Sequence, residues 1–352
     1  MGEQARKNII YSIILLLVVF IVFLYRQNQS DPNQPATAEE SNKMIVTGQT
    51  MGTSYRAVYL DGQRRDFKRE IDSVLVVFNQ SLSTYIPDSE ISRFNRTDTL
   101  KIESPFFYPV LDASRRVFEE TGGAFDPTIG PLTNIWGFGP EGAQRKDSIE
   151  IREVLRVVDF NLVNFDQDMV IKARSGVQLD LSAIAKGYGV DVIVDYLESQ
   201  GITNMLIEIG GELVGRGVNE HGELWKIGIN QPDEGGAADD LISIIALQDQ
   251  GLATSGNYRN FYISDGVKYS HTISPSTGYP VRHGLLSATV LAENCMLADA
   301  YATAFMVMGT EKAIALQEQL GNIELFLIFN DEEGNLDTYV SEGLKPFISN
   351  IK

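Results

Sequence analysis

Over most of this chain, apolar and polar positions alternate in short blocks cut by glycines and turn residues, but one block near the start breaks that rhythm. Residues 9–25 carry no charge, and Ser12 is their one aliphatic polar side chain. A run of about 17 residues lies at the short end of what crosses a bilayer. Arg6 and Lys7 precede it, and such charges keep the first residues in the cytoplasm and send the rest of the chain across. The pattern predicts a cytoplasmic N-terminus over 1–8, an uncleaved transmembrane anchor over 9–25, and a folded domain on the extracytoplasmic, or periplasmic, side of the inner membrane. The small-residue stretch Pro35-Ala36-Thr37-Ala38 lies well past the apolar run, which makes it a poor signal-peptide cleavage site. Residues 26–43, rich in Gln, Asn, Ser, Pro, Ala and Glu, read as a flexible linker, and the folded domain is expected over 44–352.

Within that domain the periodicity switches between two and 3.6. Strands are predicted at 45–47 and 55–60, on either side of Met51-Gly52-Thr53, with Asp61-Gly62 as a hairpin-type turn. Helices are predicted at 66–81 and 106–121, the second closed by Gly122-Gly123. From Val177 a strand leads into a helix capped by Ser182 and stopped by Gly201. Short strands follow at 205–209, 212–217 and 225–230, and another at 287–291. Asn294 then caps a helix over 295–308, which Gly309 ends. A helix over 310–320 and strands over 323–330 and 336–341 complete the domain. Strands adjacent in runs make hairpins, so the fold class is α+β with largely antiparallel sheets and packed helices.

Composition narrows the function. With 43% hydrophobic and 22% charged positions, the chain can bury a full core. Its 29 basic against 47 acidic residues, a net charge of -18, argue against nucleic-acid binding, and an anionic ligand needs local help. The single cysteine, Cys295, excludes an internal disulfide and a multi-thiolate zinc site, and reads as a small buried hydrophobe.

Three sets of residues could carry chemistry. The helix over 295–308 is apolar on every side and must be buried. Its Asp299 and Thr303, four apart, share one face. A carboxylate and a hydroxyl suit a hard cation such as Mg2+ or Ca2+; alternatively Asp299 pairs with an arginine and Thr303 bonds back to its own helix. The second set is Asp180 with Lys186. A lysine in a helix's first turn opposes the macrodipole and calls for an anion such as a phosphate, unless it simply points to solvent. The third is Ser270-His271-Thr272-Ile273-Ser274-Pro275-Ser276-Thr277-Gly278-Tyr279-Pro280, where one of three histidines stands in a tightly turned segment suited to hold an acid/base group, or is incidental to a surface loop. Tyr85, among turn residues, could stack on a planar ligand or sit at the rim of the core.

Together, Met51-Gly52-Thr53, Ala124-Phe125-Asp126-Pro127, Leu179-Asp180-Leu181-Ser182 with Lys186-Gly187, Ile209-Gly210-Gly211, Thr254-Ser255-Gly256-Asn257-Tyr258, His271-Thr272-Ile273 with Thr277-Gly278, and Ala298-Asp299 with Ala302-Thr303-Ala304 resemble the ApbE family, the FAD:protein FMN transferases. The resemblance spans nearly all of residues 44–341. It implies a T-fold-like α+β domain and an enzyme that cleaves the FAD pyrophosphate with Mg2+, passes FMN to a threonine hydroxyl of a target flavoprotein and releases AMP. The acceptor it implies is a membrane respiratory or electron-transfer subunit. It places Met51, Tyr85, Ala124, Phe125, Asp126, Asp180, Lys186 and Ile273 around FAD, and the metal at Asp299, Thr303 and the main-chain carbonyl of Ala183. His271 matches the family's histidine near the reacting phosphate. Two other activities stay open at this level: an Mg2+-dependent FAD pyrophosphatase with water as acceptor, and a flavin-binding module without turnover. Self-modification at Gly284-Leu285-Leu286-Ser287-Ala288-Thr289 is disfavoured, because Leu286 stands where the acceptor motif has a hydroxyl residue.

Overall fold

The structure, a computed structural model, describes residues 42–138, 148–232, 241–257, 261–264, 267–270 and 272–350. The expected anchor, nearly all of the linker and His271 lie outside the described residues. Among the described residues, no helix is long and apolar enough to cross a membrane.

The centre is an eight-stranded antiparallel sheet whose strands lie side by side in chain order: β1 (Lys43–Thr50), β2 (Thr53–Leu60), β3 (Met205–Ile209), β4 (Glu212–Arg216), β5 (Gly251–Gly256), β6 (Leu285–Ala292), β7 (Glu324–Asn330) and β8 (Leu336–Val340). The α+β, antiparallel expectation is met. The β1–β2 hairpin closes Thr50 against Thr53, leaving a two-residue loop with Met51 at φ 50 and Gly52 at φ 73. Positive φ at both positions is the type I′ geometry, whose twist matches that of the flanking strands. That conformation is unusual for methionine and strains the backbone by on the order of 1–3 kcal/mol. Glycine at 189 helps to hold it: a Cβ there would lie 2.6 Å from Met51 Cε, so the methionine side chain fills space that only a glycine leaves.

Five longer helices pack on or beside the sheet: α1 (Lys68–Leu82), α2 (Phe107–Glu120), α3 (Ala185–Ser199), α4 (Cys295–Met308) and α5 (Thr310–Leu320). As expected, α4 is buried; it packs against β5, β6 and α3. Its N-terminus is capped as predicted, with Asn294 accepting from the Leu297 amide at 2.9 Å. Leu297 and Phe305 of α4 are at most 4% exposed, and each contributes on the order of 1.5–3 kcal/mol by burial.

Three local expectations fail. Asp61-Gly62 is not a hairpin turn: the Asp61 carboxylate accepts from the Gln63 and Arg65 amides and pairs with the Arg65 side chain, which leads the chain off the sheet towards α1. No strand forms from Val177, and Ser182 is not a helix cap. Its amide and hydroxyl instead donate to Asp180 Oδ1 at 2.9 and 2.6 Å, and α3 begins only at Ala185. A short polar side chain offers the backbone a local alternative, and here the turn wins over the cap. Short helices at Glu90–Arg96, Gly130–Trp136 and Ser148–Val154 were not anticipated; seven-residue segments carry too little periodicity.

The free Cys295 is buried, and burial, followed by the nearby Asp191 carboxylate, pushes its thiol well above the usual range. Cys295 should therefore react with a thiol reagent such as DTNB only as fast as the protein unfolds. Stoichiometric labelling within minutes in native buffer would contradict this packing.

Candidate functional site

The site begins where α3 crosses α4. Gly187 sits in the first turn of α3, and a Cβ there would come within 2.2 Å of the Cys295 carbonyl oxygen and 2.8 Å of Asp299 Cβ. Only glycine permits the approach. The gain is a direct bond: the Gly187 amide donates to Asp299 Oδ2 at 3.0 Å. An amide in the first turn of a helix has no partner within the helix; this one is capped by the carboxylate of the neighbouring helix.

This crossing forms the floor of a cavity of about 710 Å3, within the roughly 300–1,000 Å3 of small-molecule sites. Of the residues expected at a functional site, Ala183, Lys186, Asp299 and Thr303 line it at the floor. Ala124, Phe125 and Asp126 line it from the loop after Gly122-Gly123, and Asp180 and Ile273 from two further loops. The structure thus gathers nine of the predicted residues from four separate stretches of chain. Met51 and Tyr85 are not among the lining residues. Met51 packs against Gly189 of α3, and Tyr85 is 69% exposed on a turn. His271 lies outside the described residues. Beside it, however, Thr272 and Ile273 line the cavity, and the turn that follows is held closed: Ser274 donates its amide to the Tyr279 carbonyl at 2.9 Å, and Gly278 to the Ser274 carbonyl at 2.8 Å. Trp136 Nε1 also donates to the Gly278 carbonyl at 2.8 Å. The tightly turned backbone expected of this segment is present.

Several polar groups are already committed to shaping the walls. Asp126 is buried, and its carboxylate accepts from the Thr128 amide and hydroxyl at 2.8 and 2.6 Å; burial raises its pKa in spite of these bonds. Asp180 uses Oδ1 on Ser182, and its Oδ2 lies 3.2 Å from the Thr133 hydroxyl. Thr303 Oγ1 lies 3.3 Å from Ser255 Oγ, which keeps the hydroxyl on the cavity side of α4.

The floor is electrostatically unusual. Lys186 Nζ pairs with Glu212 Oε1, and Glu212, at the start of β4, is 4% exposed. Burial pulls the Lys186 pKa down, but the Asp299 and Glu212 carboxylates outweigh it and leave the pKa raised. Burial, reinforced by the charge of Asp299, raises Glu212, and burial raises Asp299 although Lys186 and the Gly187 amide oppose the shift. Among the described lining residues, four carboxylates (Asp126, Asp180, Glu212 and Asp299) face one cation, Lys186. Among the described residues Asp299 is paired with no arginine; the Lys186 ammonium lies near enough to act on its charge but takes Glu212 as its ion-pair partner. Among the described residues no group of three His, Cys, Asp or Glu could hold a metal. The carboxylate of Asp299 and the hydroxyl of Thr303 both line the cavity, and such oxygen donors are of the kind that suits a hard cation. Sequence reasoning missed Glu212, Thr133 and Ser255. Glu212 follows the Gly210-Gly211 turn directly, but nothing in the sequence shows that this turn faces Lys186.

A mixed polar cavity lined by carboxylates and by a lysine at a helix N-terminus suits an anionic small-molecule ligand. The chain belongs to the ApbE family, whose model matches residues 51–327. It is 39% identical over 320 residues to the FAD:protein FMN transferase of Vibrio cholerae, covering 88% of this chain and 94% of that protein. It is 37% identical over 313 residues to the FAD:protein FMN transferase of Haemophilus influenzae, covering 85% and 90%. Among solved structures, the flavin transferase ApbE from Vibrio cholerae superposes with a TM-score of 0.78 at 37% identity, covering 87% of this chain and 99% of that one. The apo flavinyl transferase ApbE of Pseudomonas stutzeri also gives 0.78, at 32% identity, with 87% and 97% covered.

Gly187→Ala should lower stability by more than about 1–3 kcal/mol, because backbone at 2.2 Å cannot move aside as a flexible side chain can. Thermal unfolding checks this; a melting temperature equal to that of the parent would mean that the helices can separate without loss.

Proposed function

We propose that this chain is a FAD:protein FMN transferase that holds Mg2+ at Asp299, Thr303 and the main-chain carbonyl of Ala183 and passes FMN to a threonine hydroxyl of an acceptor flavoprotein. Family membership and the names of the relatives support transfer of FMN from FAD to a protein. The observation that carries the metal is the charge of the floor: Asp299 is buried with the Gly187 amide as its bonded partner and, among the described residues, no ion pair, so it retains unbalanced charge in a place where that is costly. Bound there, Mg2+ would neutralise the pyrophosphate and stabilise the charge on the transferred phosphoryl group.

The chain's own residues do the rest. Lys186 offers ammonium donors to the phosphates from the first turn of α3, where the helix dipole adds to its charge. Phe125 and Ile273 supply apolar wall, and the committed hydrogen bonds of Asp126 and Asp180 hold their loops in shape without rearrangement. In the transfer, the threonine Oγ bonds to the FMN phosphorus as the pyrophosphate P–O bond breaks, and AMP leaves with the electron pair. The threonine proton goes to His271, whose neighbours Thr272 and Ile273 line the cavity. The apolar run over 9–25 tethers the enzyme to the inner membrane with this domain on the extracytoplasmic side, beside an acceptor that is a membrane respiratory or electron-transfer subunit; the support for this is the sequence pattern.

Incubation with FAD, MgCl2 and a candidate acceptor should add the mass of one FMN to an acceptor threonine and release AMP, and EDTA should stop it. Asp299→Ala should reduce transfer by about a hundredfold or more while the fold survives; an unchanged rate would refute the metal placement. Free FMN and AMP with an unlabelled acceptor would instead identify a pyrophosphatase. His271→Ala should still bind FAD but transfer about a hundredfold more slowly, and parental rates would remove the histidine from the mechanism.

A further inference from the structure

The cavity floor contains a carboxylate to which neither the sequence reading nor the proposed chemistry assigns a role. Glu212 is held on the rigid sheet, directly after a turn in which Gly210 and Gly211 have φ 61 and 109. Its Oε1 pairs with Lys186. Its Oε2 is buried and has no hydrogen-bond partner among the described residues. An orphaned carboxylate oxygen beside a cavity is costly in a finished binding site, and here it marks surplus negative charge: Glu212 and Asp299 both draw on the single ammonium of Lys186.

That surplus has a purpose once two cations must share the floor. Unit charges in a partly desolvated cavity interact by several kcal/mol at about 4 Å and an effective dielectric of about 20, so a divalent ion at Asp299 and an ammonium at Lys186 repel each other strongly. Asp299 cannot serve both. We propose that Glu212 is a positioning residue: it is the dedicated counter-ion of Lys186, keeping the ammonium off Asp299 so that Asp299 is available to a divalent cation while the lysine still faces the pyrophosphate. This rests on the metal reading given above. In the structure the Lys186 ammonium pairs with Glu212 and makes no ion pair with Asp299; with the cation in place it keeps the same partner.

Binding of Mn2+ by the full protein without FAD, followed by electron paramagnetic resonance, tests the idea independently of turnover. Glu212→Gln keeps the shape and one acceptor but removes the charge, so Lys186 turns to Asp299 and competes with the metal. The Mn2+ dissociation constant should rise about tenfold or more, the range seen when a residue supporting a metal ligand is lost. Adding Lys186→Met to Glu212→Gln removes the competitor and should restore affinity to near the parental value, which a merely structural defect at Glu212 would not allow. Parental affinity in Glu212→Gln, or no recovery in the double variant, would overturn the proposal. Mn2+ binding that persists unchanged in Asp299→Ala would show instead that the metal reading itself is wrong.

Discussion

The site depends on one contact: the amide of Gly187 meeting the carboxylate of Asp299 where α3 crosses α4. It exists because position 187 has no side chain, since backbone of α4 occupies the space that a Cβ would need. The same bond accounts for two features. It gives a buried carboxylate a donor, and it holds the start of α3 against α4 so that Lys186 stands at the cavity. A packing constraint between two helices therefore sets where the Asp299 carboxylate and the lysine stand.

Around that contact the cavity is built with too much negative charge for its own stability. Among the described lining residues four carboxylates face one ammonium, in a chain whose net charge is already -18. In a purely structural role such an arrangement would be replaced by well-packed apolar side chains, which are often at least as stabilising as buried ions. It makes physical sense as a site that expects to gain positive charge on loading. The committed hydrogen bonds of Asp126 and Asp180 divide the labour: those two carboxylates stiffen the loops, while Asp299 and Glu212 remain electrostatically active at the floor.

Much of this could be read from the chain. The apolar helix over Cys295–Met308, its Asn294 cap and the four-residue spacing of Asp299 and Thr303 follow from periodicity and appear as expected, because a helix that is apolar all round has only one stable place. The antiparallel meander followed from runs of short strands separated by glycines. The failures were local competitions that propensity cannot rank. Asp61 and Ser182 each had a plausible turn or cap role, and the outcome was decided by partners elsewhere: the Arg65 side chain for one and the Asp180 carboxylate for the other. Tyr85 stands exposed on a turn, open to a ligand, and Met51 packs against Gly189 of α3.

By itself the sequence determined the fold class, the buried helix with its carboxylate and hydroxyl, the lysine at a helix start, and the family. These are properties of spacing and composition along a single element, and hydrophobic burial enforces them wherever that element lies. Only the tertiary structure decided that Lys186 takes Glu212 as its partner and that the Gly187 amide meets the Asp299 carboxylate beside them. Those facts join residues 186, 187, 212 and 299, which no local pattern links. They arise from close packing of helices against a sheet, where the absence of one Cβ and the reach of one lysine decide which charges meet.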